Sequence, residues 1–411
     1  MNKSYIIYAI ALSVAFVSFD LKAQELQVYI NQALTHNPEI QQFEIKHQRI
    51  SEKQQEANSL PNTEIGVGVF ASSPETRTGA QKFKVSVKQM LPFFGTITAR
   101  ENYAASLADI AYQDIVVKKR KLIAEVSQSY YKLYKIKAKQ AVLEENIELL
   151  STYEKLALTS VEVGKASAVD VLKLQIRQNE LTQKKEVLKE QFLGEQASFN
   201  KLLNREVLEP VMLVDSLQMP DKTESFNSED LKLHPELIKF DRLYTSVEKS
   251  EIVNQKQSKP MLGFGIDYVN VEKRPNMSFS DNGKDIVMPM VSVSIPIFNK
   301  KYKSLSKQHS LQQEEVLTQK QQRLNSLEAK LQNVVSLRNA AFINYKTQQK
   351  NLIQAKNAQN ILVKSYETGT IDFNDVLDIQ ELQLKFQMNM ISSKLSYYNQ
   401  SVALHYLTAQ N

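Results

Sequence analysis

The chain has 411 residues, enough for about two or three ordinary globular domains, yet only 10 Gly and 11 Pro interrupt it, and Gln, Lys, Glu, Leu and Ala fill the stretches between. That composition favours long helices and coiled coils. Absent cysteine excludes disulfides, thiolate metal sites and a lipidated N-terminal Cys, and a net charge of +6 with bases interspersed among acids argues against nucleic acid as a partner.

Residues 1–23 carry a targeting pattern: Lys3, an apolar run from Ile6 to Phe19, then Leu21-Lys22-Ala23. The run is too short to span a membrane comfortably, so it reads as a secretory signal cut near Ala23 or Gln24. Residues 26–59 have helical period, and Pro61 ends that helix. Residues 63–71 then alternate, Ile65, Val67 and Val69 on one face against Glu64, Gly66 and Gly68. Residues 82–88 alternate as well, Phe83, Val85 and Val87 against Lys82, Lys84, Ser86 and Lys88. Period two with one apolar and one polar face predicts strands against an apolar surface. Residues 97–162 hold no Gly or Pro and predict a helix about 95–100 Å long. Such a helix needs partners along its length, as in a coiled coil. Leu174, Leu181 and Leu188 supply a seven-residue seam on the returning helix, with Phe192 and Phe199 beside it.

The second half repeats this order. His36-Asn37-Pro38-Glu39-Ile40 is answered by His234-Pro235-Glu236-Leu237-Ile238, and Pro92-Phe93-Phe94 by Pro296-Ile297-Phe298. Leu262, Phe264, Ile266 and Tyr268 alternate with Gly263, Gly265 and Asp267; Val287, Val291, Val293 and Ile295 alternate with Met288, Met290, Ser292 and Ser294. Pro289 falls on that apolar face and weakens the strand. Residues 300–366 form a second long run free of Gly and Pro. One unit was duplicated whole. The organisation is a first repeat over 24–204 (hairpin 63–90, long helix 97–162, helix 167–204), a linker over 205–228, and a second repeat over 229–411 (hairpin 261–296, long helix 300–366, helix 373–409).

The strands are about as long as tilted bilayer-crossing strands. The competing reading is a small soluble sheet packed on a helix. Four strands cannot close a barrel, and an open edge cannot sit in lipid, so spanning strands require several chains to pool them.

Two helical turns remain, Val163-Gly164 through Asp170-Val171-Leu172 and Tyr366 through Gly369 to Asp375-Val376-Leu377-Asp378. Gly ends each long helix, and Ser167 with Asp170, and Asp372 with Asp375, fit capping of the next. This G-x5-D-V-L turn occurs twice. With the V-S-V…P-x-F strand ends and the N-P-E-I start, it resembles the TolC-like outer-membrane efflux proteins over essentially everything after residue 23. The Leu60-Pro61-Asn62 segment is similar to the branch serving heavy-metal cation pumps.

The resemblance implies a mainly α fold with transmembrane β: an internally duplicated coiled-coil barrel of long helices, with four strands per chain contributing to a trimeric twelve-stranded β-barrel. It implies a homotrimer in outer-membrane lipid, an adaptor docked on the turns at Gly164 and Gly369, and an inner-membrane pump of the resistance-nodulation-division type. It also implies a pore constriction at Asp375 and Asp378, and gating or packing contacts at Asp170 and Tyr366. Where the family places a basic residue shortly after the second glycine, Ile371 stands, which puts the family's salt-bridge gate in doubt. Asp375 also has a plain capping role available.

No enzyme constellation, cofactor motif or metal-ligand spacing appears. The five His residues are scattered, and Met288 with Met290 is thin support for soft-metal contact. Two other readings stay open, a periplasmic adaptor and an exported structural coiled coil. The duplicated amphipathic hairpins weigh against both. The pumped substrate, metal cations or drugs, stays open as well.

Overall fold

The computed structural model describes residues 25–164, 167–221, 228–368 and 370–408; the predicted signal segment 1–23 and Gly369 lie outside them. The chain divides into two compact units. One comprises Phe43–Ile115 and Pro235–Arg323; the other comprises Met1–Gln42, Val116–His234 and Leu324–Asn411.

In chain order the elements are α1 (residues 25–36), α2 (Pro38–Ala57), β1 (Glu64–Val69), β2 (Glu75–Thr76), β3 (Gly79–Leu91), α3 (Thr96–Glu162) and α4 (Ala168–Leu202), then α5 (Pro235–Gln257), β4 (Met261–Glu272), β5 (Ile286–Ser294), α6 (Lys301–Glu367) and α7 (Phe373–Leu407). A short 3-10 helix, Ser228–Leu233, precedes α5.

The pattern over 26–59 predicts one helix, and the structure breaks it at Asn37. Pro38 lacks the N–H that would continue the ladder and suits the first position of a new helix. The Asn37 carboxamide oxygen caps that helix, accepting from the backbone N–H of Glu39 at 2.9 Å and of Ile40 at 3.4 Å.

The first-named unit holds an antiparallel sheet in the order β1-β3-β4-β5, with the two-residue β2 also on β3. Both hairpins therefore join through β3 and β4. The register runs Val67↔Val85↔Tyr268↔Val287 and Ile65↔Val87↔Ile266↔Pro289. In the same unit, Asp114 on α3 receives Lys46 of α2 at 3.1 Å and Lys239 of α5 at 2.6 Å.

The other unit is helical. One core cluster joins Tyr29, Ala33, Ile40, Leu122, Tyr130 and Phe199. A second joins Leu143, Leu150, Leu174, Leu181, Tyr366 and Phe373; Leu174 and Leu181 of the α4 seam are buried in it, and Leu188 packs partly buried against it. Residues 212–217 are strapped on by tyrosines: the backbone N–H groups of Met212, Val214 and Leu217 donate to the hydroxyls of Tyr29, Tyr130 and Tyr134 at 2.8, 3.0 and 3.1 Å.

Candidate functional site: an apolar sheet face and two helical turns

Paired residues of an antiparallel ladder point to the same face. The register therefore collects Ile65, Val67 and Val69 of β1, Phe83, Val85 and Val87 of β3, Phe264, Ile266 and Tyr268 of β4, and Val287 and Val291 of β5 on one side. Most of them are exposed in the single chain, Val69 at 80% and Val291 at 70%. Contiguous exposed apolar surface on this scale marks a membrane or protein contact. No helix among the described residues is long and apolar enough to cross a membrane.

The opposite face is mixed. Lys84 pairs there with the buried Asp267, beside buried Val269 and Val271. Met90, Met288 and Met290 share this face, since they pair with Gly263, Asp267 and Gly265. Gly263 leaves room for two side chains of this face: a Cβ there would fall 2.3 Å from Ser292 Oγ and 2.6 Å from Met90 Sδ, so both would have to turn aside. Among the described residues β1 pairs only with β3 and β5 only with β4, so both edges of the sheet are bare in one chain.

The first helical turn is built around Gly164, whose φ of +72° is a left-handed C-terminal cap. Ser167 and Asp170 then form a complete capping box on α4. Ser167 Oγ accepts from the N–H of Val169 at 3.2 Å, and the Asp170 carboxylate accepts from the N–H of Ser167 at 3.4 Å. The second turn is capped in one direction only. Asp372 accepts from the N–H of Asn374 at 2.8 Å, and Asp375 does not reciprocate. The carboxylates of Asp375 and Asp378 are exposed and have no side-chain partner among the described residues.

Tyr366 is buried, with its ring 4.8 Å from that of Phe373 and its hydroxyl without a hydrogen bond. No hydrogen bond joins Tyr366 to Asp170 among the described residues. What ties α4 to α7 is a different pair of contacts, which sequence reading missed. Lys173 Nζ donates to Asn374 Oδ1 at 2.7 Å, and the Arg177 guanidinium meets Glu381 at 3.2 Å. Neither residue advertises its partner: Lys173 and Arg177 lie beyond the first turn of α4, where the helix dipole no longer acts on a side chain. Deeper in, the Asn146 amide of α3 donates to Gln387 at 3.0 Å and accepts from Gln380 at 2.9 Å, a buried amide network between α3 and α7.

Residues 29–205 match the model of the outer membrane efflux protein family. The fold resembles that of CusC, at a TM-score of 0.77 and 13% identity over 94% of this chain and 92% of that one. It also resembles the outer membrane protein VceC of Vibrio cholerae, at 0.72 and 15% over 93% and 96%. A third likeness is to the CmeC outer membrane channel of Campylobacter jejuni, at 0.72 and 14% over 93% and 85%. By sequence, the chain matches no protein of curated function.

Proposed function

We propose that this chain, a member of the TolC-like outer-membrane efflux protein family, is the exit duct of a tripartite efflux system. It is a protein of the outer membrane, with its long helices extending into the periplasm. In the assembled duct three chains pool their sheets, β1 of one beside β5 of the next, into a twelve-stranded barrel. A periplasmic adaptor holds the turns at Gly164 and Gly369, and an inner-membrane pump of the resistance-nodulation-division type delivers cargo. Substrates, metal cations or drugs, pass without chemical change.

One observation carries this reading: a sheet with a continuous exposed apolar face and two bare edges. Lipid satisfies the face, and only a further strand satisfies an edge held in lipid. Asp375 and Asp378 form the constriction, six carboxylates in three chains, which favours cations. Their exposure and their freedom from capping support that role.

The test is the detergent-corrected mass of the mature chain extracted from isolated outer membranes. Three chains per particle is the expected result. A monomer or dimer that stays soluble without detergent overturns the duct.

A further inference from the structure

Between α3, α4 and α7 lies an open cavity of about 550 Å3 with a two-part lining. Its apolar floor comes from Leu143, Val187, Leu384 and Met388. Three lysines surround it, Lys139 on α3, Lys184 on α4 and Lys385 on α7. The spacing is helical on every wall: 139 and 143, 184 and 187, 384, 385 and 388 each share one helix face. The single carboxylate of the lining, Glu381, is already engaged by Arg177 at 3.2 Å. None of the three lysines makes an ion pair among the described residues. Lys139 is half-buried, and its burial, with Lys135 beside it, lowers its pKa below the usual lysine range.

A half-buried Lys139 with two exposed cations at the same apolar groove is relieved by an anion. The cavity volume falls within the range of small-molecule sites, which combine an apolar body with a few convergent polar groups. We infer that this groove binds an amphipathic organic anion, an acyl or alkyl chain with a carboxylate or sulfonate head, its chain on Leu143 and Leu384 and its head among Lys139, Lys184 and Lys385. A cation of the same shape is repelled. The groove begins about one turn beyond Asp378 on α7, does not include Asp375 or Asp378, and does not depend on the duct reading.

The chain has no cysteine, so Val187→Cys places one thiol in the lining of the groove. In the full mature chain in lipid nanodiscs, the rate of maleimide alkylation at that thiol is measured with n-octanesulfonate or with octyltrimethylammonium. Saturable slowing by the sulfonate alone is expected. Adding Lys184→Gln and Lys385→Gln, both exposed positions, is expected to weaken that protection by roughly tenfold. Three results overturn the inference. The first is no protection by the sulfonate. The second is equal protection by the cation, or by the sulfonate in the glutamine variants, which marks mere apolar partitioning. The third is a thiol that does not react even without ligand, which means that protein fills the groove.

Discussion

Lys84 of β3 pairs with Asp267 of β4, and Asp267 is fully buried on the face of the sheet opposite Val85 and Tyr268 while Lys84 stays partly exposed. The pair is diagonal, since Asp267 faces Ser86, two residues along β3 from Lys84. Removing one charge leaves the other buried and uncompensated, a loss of about 3–5 kcal/mol. Lys84→Met is therefore expected to lower the melting temperature of the assembled protein sharply. Lys84→Met with Asp267→Leu is expected to recover most of it. A double variant as unstable as the single one would show that the pair does more than neutralise charge.

Asp375 and Asp378 stand three residues apart at the start of α7 without side-chain partners. If they line the constriction, Asp375→Asn with Asp378→Asn moves the reversal potential in a potassium chloride gradient toward zero. The shift is expected to be largest in dilute salt, where the screening length reaches about 30 Å at 0.01 M. Planar-bilayer recordings on both proteins check this. Identical selectivity at every salt concentration removes the constriction role from these two residues.

Much of the fold is legible in the sequence because two periods dominate it. Alternation at Phe83, Val85 and Val87, and at Leu262, Phe264 and Ile266, marks strands that the structure contains, and the runs free of Gly and Pro are α3 and α6. β3 reaches Leu91 because pairing with β4 continues where the polar alternation fades. β2, two residues long, has no periodicity to detect. Within one chain β5 pairs on one side only, with β4, and Pro289 falls in that one-sided strand. The repeat is a weaker guide to side-chain environment. His36 is exposed on α1 and bonds Gln32 O at 3.0 Å, whereas its counterpart His234 is buried against Tyr406. Contacts that depend on which helices face each other, Arg177 with Glu381 or Asn146 with Gln380, leave almost no trace in spacing.

Gly164 sits at φ +72° with nothing within 4 Å of where a Cβ would stand. Space is available, so the cost of substitution lies in the backbone alone, about 1–2 kcal/mol for a residue that resists the left-handed region. Gly164→Val is expected to raise amide exchange around residues 160–170 with little change in global melting. Gly164→Asn, which tolerates that conformation, is expected to stay near the parent. Equal exchange in the two variants would mean that backbone strain at 164 does not shape the turn.

Glu251 on α5 accepts from His309 at 2.7 Å, Ser306 at 2.7 Å, Gln255 at 3.0 Å and Asn254 at 3.2 Å. Burial pushes its pKa up, and these hydrogen bonds outweigh burial, holding it below its ordinary 4.5. A carboxylate depressed on folding adds stability above its unfolded pKa, and that stability disappears as pH falls through the folded value. The parent should therefore exceed Glu251→Gln in stability at pH 7, and the gap should close below about pH 4. Denaturation midpoints across that window check the sign; a gap that widens in acid would contradict it.

The amide network of Asn146, Gln380 and Gln387 sits in the seam between α3 and α7, with Gln380 almost wholly buried. Asn146→Ala strands the Gln380 and Gln387 amides and is expected to cost about 1–3 kcal/mol. Replacing both partners, Asn146→Leu with Gln380→Leu, removes the need for hydrogen bonds and is expected to approach the parent in stability. A polar residue in a coiled-coil seam chiefly fixes register. The apolar double variant should therefore keep its melting temperature but loosen the alignment of α7 on α3. Cysteine pairs placed at matched and one-turn-shifted heights report this directly. Cross-linking confined to the matched pair in the double variant would show that packing alone sets the register.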